Sequence, residues 1–218
     1  MNIMPKPTIL KQGERYTFSQ YFEMPYAPED ILAELGCTLV RSRLNLPQVA
    51  EVSAEYGFLK HYLERNLTFV NPISEISRRE ILIAPTLMEV CAATDASLKI
   101  EYSVNVNDWL RGNLDYYITS PNSLLVVEAK QADLAKGFTQ LAVELIALDQ
   151  WVKSSPVDEQ ILYGAVTTGD IWRLGTFDRK ARQLSEDRSL YRVPEDLETL
   201  LKILVAILRS HPDSSASP

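Results

Sequence analysis

Hydrophobic and polar residues along the chain follow two different periods. From Pro47 to about Asn66, apolar residues recur at steps of three and four, which predicts an amphipathic helix. A second helix is predicted from Ser74, a favourable N-cap, to about Val90, with a kink or boundary at Pro85. From Leu98 to Val104 apolar and polar residues alternate, which predicts a strand.

The rest of the chain continues this mixture of helices and strands. Ser120–Ser123 contains proline, asparagine and two serines, which favour a tight turn between two strands. In the middle of the chain the order is helix, three strands, helix, two strands, which predicts an α/β fold with a mixed sheet. Further strands are predicted at 37–41, 114–118, 124–128, 160–166 and 171–177, and further helices at 28–35, 133–152 and 194–209.

The length of 218 residues suits one large domain or a core with a smaller N-terminal lobe. We expect an α+β N-terminal extension of unknown role at residues 1–72 and a core with a C-terminal helix at 73–211. Residues 212–218 are rich in serine and proline and are predicted to form a disordered tail.

Composition narrows the class of protein. No apolar run approaches the roughly 18 residues that span a bilayer, and the N-terminus lacks the apolar stretch of a secretory signal. Cys37 and Cys91 lie far apart without metal-binding spacing. These features predict a cytoplasmic protein with reduced cysteines and no membrane partner. The only histidines are His61 and His211 and there is no glycine-rich phosphate loop, which argues against a catalytic triad and a Walker-type nucleotide site.

The formal net charge of −7 argues against indiscriminate binding to nucleic acid, because proteins that coat phosphate backbones usually carry a basic surface. An acidic nuclease remains compatible with this charge, since carboxylates that bind a cation add to the negative count.

The hairpin around Ser120–Ser123 predicts a charged cluster. If these four residues form the loop, Thr119 pairs with Leu124, and counting outward places Asp115 opposite Glu128. Directly opposed residues have Cβ atoms roughly 5 Å apart, so the two carboxylates require a compensating cation. Lys130 lies two residues beyond Glu128 and points to the same face. Either this lysine or a divalent cation such as magnesium could supply the compensation.

Two segments of this hairpin resemble the D-(x)n-ExK signature of the PD-(D/E)xK nuclease superfamily. The first is Gly112-Asn113-Leu114-Asp115-Tyr116, and the second is Val126-Val127-Glu128-Ala129-Lys130. The resemblance implies a restriction endonuclease-like mixed β-sheet flanked by helices. It also implies Mg²⁺ (or Mn²⁺) bound by Asp115 and Glu128, Lys130 as the catalytic cation, and hydrolysis of phosphodiester bonds in DNA.

Three further segments extend the resemblance over roughly residues 74–180. The helix after ExK carries Gln140 and Glu144, similar to the glutamine-bearing helix beside the site in many members, and this implies a catalytic role for Gln140. Glu75–Pro85 and Tyr163–Trp172 are similar to segments of the nuclease domains of type I restriction subunits, and Glu75 is the implied third metal ligand. Many such nucleases pair to cut two strands and related domains depend on partner subunits, so a homodimer or a partner subunit is expected.

Other interpretations of these residues stay open. Asp115, Glu128 and Lys130 could form a surface salt-bridge cluster, Gln140 and Glu144 an ordinary polar helix face, and Glu75 a helix-dipole contact. The whole domain could be a non-catalytic module that binds DNA or a protein, or a small-molecule α/β enzyme. Basic residues that are candidate phosphate contacts, or else solvated charges, occur at Arg41 and Arg43, Arg78 and Arg79, and Arg179–Arg182.

Overall fold

The computed structural model describes residues 8–52, 56–121, 123–151 and 160–209, which form an eight-stranded mixed sheet flanked by helices. This confirms the predicted α/β class. The helices are α1 (Phe18–Glu23), α2 (Pro28–Glu34), α3 (Tyr56–Leu67), α4 (Glu75–Arg78), α5 (Ala84–Thr94), α6 (Leu134–Trp151) and α7 (Leu197–Arg209). The strands are β1 (Thr38–Ser42), β2 (Ser97–Asn105), β3 (Arg111–Thr119), β4 (Leu124–Ala129), β5 (Ile161–Thr167), β6 (Ile171–Asp178), β7 (Gln183–Asp187) and β8 (Tyr191–Arg192).

The strands lie in the order β1-β7-β6-β5-β4-β3-β2, and β8 pairs with β6. The β1–β7 and β4–β5 pairs are parallel and the others are antiparallel. Every residue of β4 is buried, which explains its nearly continuous apolar sequence, because helices cover it on both faces. Leu124 and Val126 join the core beneath α6, whereas Leu125 and Val127 join the core beneath α5 and α7.

Residues on both sides of position 72 share this sheet and its core. Strand β1 pairs with β7, and α1 and α2 pack against α6. Phe18 and Ile31 belong to the same hydrophobic cluster as Phe138 of α6. The predicted N-terminal extension therefore contributes an edge strand to the sheet and two helices that pack against α6.

Several elements differ from those predicted. The helix predicted from Pro47 begins at Tyr56, as α3, within the described residues, because the preceding segment follows α7 instead: the amide of Val49 donates to the carbonyl of Lys202 at 3.2 Å. Short elements α1, β7 and β8 had no predicted counterpart. The predicted tail at 212–218 lies outside the described residues.

The predicted irregularity at Pro85 takes the form of a wider helical turn. Arg79–Ile83 form a π-helical turn between α4 and α5, in which the amide of Ala84 donates to the carbonyl of Arg79. Proline has no amide hydrogen and its ring crowds the preceding turn, which accounts for the widening immediately before it. This turn places the side chain of Arg79 against β3.

Within the described ranges, no helix is both long and apolar enough to cross a membrane. Cys37 and Cys91 are buried and form no disulfide.

Candidate active site

The β3–β4 hairpin has the register expected from its turn. Thr119 pairs with Leu124, and the antiparallel ladder continues to Tyr116 and Val127. Beyond that pair the regular ladder ends, and the Oδ2 atom of Asp115 accepts a hydrogen bond from the backbone amide of Ala129 at 2.8 Å. The predicted cluster therefore forms, with the Asp115 carboxylate fixed directly to the neighbouring strand.

A backbone irregularity lies on the other side of Asp115. In strand β2, Ile100 pairs with Tyr116 and Tyr102 pairs with Leu114, so Glu101 is the residue that faces Asp115 across the strand pair. Glu101 has a φ of 54°, in the left-handed region that non-glycine residues seldom adopt. Such conformations cost about 1–3 kcal/mol and cluster at functional sites.

Glu128 occupies the buried centre of the site, and its side chain is 2% exposed. Its Oε1 atom contacts the ammonium of Lys130 and accepts a hydrogen bond from Nε2 of Gln140 at 2.6 Å. The same amide nitrogen donates to Oε1 of Glu144 at 2.9 Å. Oε2 of Glu128 and Oε2 of Glu144 accept no hydrogen bond from any nitrogen or hydroxyl donor of the described residues, but the two carboxyl groups lie close enough to share a proton. The cluster thus contains more carboxylate oxygens than donors.

Burial changes the ionisation of these groups. Loss of hydration raises the pKa of Glu128 to about 8; the negative charge of Asp115 adds to this effect and Lys130 opposes it. Burial and the charge of Glu128 raise the pKa of Glu144 well above its usual value. Burial lowers the pKa of Lys130, but the adjacent charge of Glu128 outweighs this and raises it. The Glu128–Glu144 pair therefore tends to retain protons near neutral pH, beside the charged ammonium of Lys130.

The N-terminal segment covers the ammonium of Lys130. The Nζ atom lies 5.2 Å from the ring centroid of Phe22 in α1, a cation–π contact, and Nζ of Lys136 lies 6.0 Å from the same ring. Gly137 allows α6 to approach this point closely, because a Cβ atom there would lie 2.6 Å from Val166 Cγ2 and 3.0 Å from Lys130 Cγ. The position of Lys130 depends on both helices.

Glu75 lies farther from the centre of the site. An open cleft of about 350 Å³ is lined by Lys130, Gln140 and Glu75, together with Phe22 and other residues. The carboxylate of Glu75 forms no ion pair with any residue that the structure describes. The structure therefore brings Asp115, Glu128, Lys130 and Gln140 into a single hydrogen-bonded and charged cluster and places Glu75 on the wall of the cleft.

Five of the basic residues considered as phosphate contacts are engaged in ion pairs. Arg79 pairs with both Asp115 and Glu101, a pairing that the sequence did not reveal because it joins three separate elements. The contact of Phe22 was also missed, since no spacing relates it to Lys130. The remaining pairs are Arg78 with Asp170, Arg41 with Glu186 and Glu29, and Arg179 and Arg182 with Asp149.

The donor set fits a hard divalent cation bound by two carboxylates. Within the described ranges, no group of three or more histidine, cysteine, aspartate or glutamate side chains is arranged to hold a metal ion. Mg²⁺, however, commonly uses only one or two protein carboxylates and completes its shell with water and substrate phosphate. Oε2 of Glu128 is unpartnered, and Oδ1 of Asp115 has a long 3.3 Å contact with Arg79. These two oxygen atoms are the candidate ligands, but Oε2 of Glu128 is enclosed by protein, so a cation would reach it only after neighbouring side chains move.

A scan against protein-family models finds no match to the chain, and a search of curated proteins finds none either. The resemblance to the PD-(D/E)xK superfamily therefore stays a prediction that rests on the residues themselves.

Proposed function

We propose that this protein is a metal-dependent nuclease that hydrolyses phosphodiester bonds in DNA. The observation that carries the proposal is the convergence of Asp115, Glu128 and Lys130 where the β3–β4 ladder ends. Clusters of buried groups with strongly shifted pKa values are typical of catalytic sites. An intact D-(x)n-ExK pattern on two adjacent strands adds to this support.

In the proposed mechanism, Asp115 and Glu128 would hold Mg²⁺ or Mn²⁺, with Glu75 on the cleft wall as a further ligand. A metal held there would lower the pKa of a coordinated water and stabilise negative charge on the phosphate. Ala129 orients Asp115 through its amide, and Gln140 orients Glu128 through its side-chain amide. Lys130 supplies a positive charge that neutralises the charge developing on the phosphate oxygens.

The charge of the cleft determines how it could bind a phosphate backbone. Glu23, Glu75 and Asp133 line the cleft beside Lys130, so the bare cleft repels phosphate and the bound cation must offset that repulsion. We therefore propose that DNA binding at this cleft requires the divalent cation. A second copy of the chain, or a partner subunit, would bring a second site to the opposite strand.

Cleavage by a Lys130→Met variant tests this proposal. Methionine keeps an unbranched apolar side chain but removes the ammonium, and we expect the rate of cleavage of plasmid and single-stranded DNA to fall by at least about 100-fold. Lys136→Met is the matched control, because Lys136 lies beside the same Phe22 ring. Cleavage by wild type in the presence of EDTA, or full activity of Lys130→Met, would contradict the proposal.

A second candidate function is a non-catalytic nuclease-fold module that binds DNA or a protein partner. It is favoured by the internal compensation of the cluster, in which Lys130 contacts Glu128 and Arg79 contacts Asp115. This alternative predicts that wild type binds its partner but cleaves no DNA in Mg²⁺ or Mn²⁺.

A further inference from the structure

We propose that Arg79 is an internal counter-ion that competes with a divalent cation for Oδ1 of Asp115, with Glu101 as its alternative partner. This inference rests on the proposed function and concerns the regulation of metal binding at that site. The inference explains why the guanidinium of Arg79 contacts the carboxylate of Asp115.

The contacts of Arg79 are unequal. Its Nη1 atom lies 2.7 Å from Oε1 of Glu101 but 3.3 Å from Oδ1 of Asp115. Its Nε atom lies 3.4 Å from the hydroxyl of Tyr116, and its guanidinium carbon lies 5.1 Å from that ring centroid. Three of these four contacts do not involve Asp115. The guanidinium can therefore leave Oδ1 and still keep its closest ionic partner and its aromatic contact.

The carboxylate of Asp115 can exchange Arg79 for a cation at Oδ1 without leaving its position. Its Oδ2 atom is fixed by the amide of Ala129, so a change of partner at Oδ1 does not release the carboxylate from β4. The Arg79 and Asp115 side chains are only 18% and 15% exposed, a setting in which charges interact more strongly than in water. A cation at Oδ1 and the guanidinium at its present position repel each other.

Glu101 offers the guanidinium a position closer to solvent. Its side chain is 51% exposed, and its left-handed backbone lies across from Asp115. On the opposite side, the π-helical turn that begins at Arg79 presents the guanidinium. Irregular backbone therefore positions both members of the pair. Both kinds of irregularity recur at functional sites in proteins.

The test measures binding of Mn²⁺ to the full chain by electron paramagnetic resonance and calorimetry. In Arg79→Gln we expect the dissociation constant to fall at least about tenfold, because a competing positive charge is lost. In Glu101→Gln we expect the dissociation constant to rise several-fold, because Arg79 then relies on Asp115. Arg79→Lys keeps the charge and should bind Mn²⁺ nearly as wild type does.

Two controls separate this effect from a general change in charge. Arg78→Gln removes the same charge one residue away, where the side chain contacts Asp170 and the carbonyl of Thr168. Glu23→Gln removes a carboxylate from the cleft wall without touching Arg79. Both controls should change the dissociation constant less than the variants they match. Opposite shifts in Arg79→Gln and Glu101→Gln cannot arise from partial unfolding, which would weaken binding in both.

The outcomes also distinguish this inference from the proposed function. If wild type binds Mn²⁺ and Arg79→Gln binds it equally or more weakly, the metal site stands and the counter-ion inference is overturned. If neither protein binds Mn²⁺, both fail. If wild type binds Mn²⁺, tighter binding in Arg79→Gln than in Arg78→Gln supports the inference.

Discussion

The sheet buries two glutamates whose surroundings differ. Glu186 in β7 has both carboxylate oxygens paired, one with Arg173 at 2.7 Å and the other with Arg41 at 2.8 Å. Glu128 in β4 has both donors on the same oxygen and none, among the described residues, on the other. The first glutamate is fully compensated by protein groups and the second is not.

This difference separates a structural ion pair from a candidate reactive site. A buried carboxylate between two guanidinium groups holds strands together and has no oxygen left for a ligand. A buried carboxylate beside a second carboxylate, with one oxygen unpartnered, is destabilising unless a proton or a cation joins it. We infer that the β3–β4 strand pair carries the candidate binding site, whereas the carboxylate of Glu186 in β7 stabilises the fold through its ion pairs.

The largest effect on stability is expected at Glu186, the glutamate that is paired with two arginines. Glu186→Gln removes the charge that two guanidinium groups share, and we expect the free energy of unfolding to fall by about 3 kcal/mol in urea titrations. Glu29→Gln is the matched control, because Glu29 contacts the same Arg41 from a half-exposed position and should cost about 1 kcal/mol or less. Equal losses in the two variants would remove the distinction between these ion pairs.

An intermediate effect on stability is expected from adding a methyl group to Gly137 in α6 or to Gly164 in β5. Gly137→Ala and Gly164→Ala place a Cβ atom within 2.6 Å of Val166 Cγ2 and 2.8 Å of Leu141 Cδ1, respectively. Overpacking costs about 1–3 kcal/mol, although better helix propensity offsets about 1 kcal/mol at Gly137. Only Gly137→Ala also crowds Lys130, so only that variant should lose DNA cleavage beyond its loss of stability. Equal cleavage by both variants would show that the position of Lys130 is not critical.

The smallest effect is a change in pH dependence. Because burial raises the pKa values of Glu128 and Glu144 above about 4.5, the folded protein retains protons that the unfolded chain releases. The free energy of unfolding should therefore fall as pH rises from about 4.5 to about 8. Glu144→Gln cannot ionise at this position and should gain about 1 kcal/mol relative to wild type at pH 8. If the free energy of unfolding depends on pH equally in wild type and Glu144→Gln, the retained proton does not reside on Glu144.

The local features of the site could be predicted from the sequence. The turn at Ser120–Ser123 fixed the hairpin register, and that register brought Asp115 close to Glu128 and Lys130. Helical spacing placed Gln140 on the helix that follows. These predictions succeeded because short-range geometry along strands and helices is regular.

The remaining features depend on distant segments. Arg79 reaches Asp115 because of a π-helical turn, and Phe22 reaches Lys130 because α1 packs on α6. Strand β7 was missed because it alternates weakly and contains Glu186 and Asp187, buried acids that read as surface residues in the sequence. Their partners are far away along the chain, so no local pattern reveals them.

The most direct test of the central claim is calorimetric titration of Mn²⁺ into wild type and Asp115→Asn, with and without DNA. Asparagine keeps an oxygen that can accept the Ala129 amide hydrogen bond, so the comparison isolates the charge of the ligand. We predict a single site in wild type whose affinity falls at least about tenfold in Asp115→Asn. Equal binding by both proteins, or no binding by wild type even with DNA present, would contradict a metal site at Asp115 and Glu128.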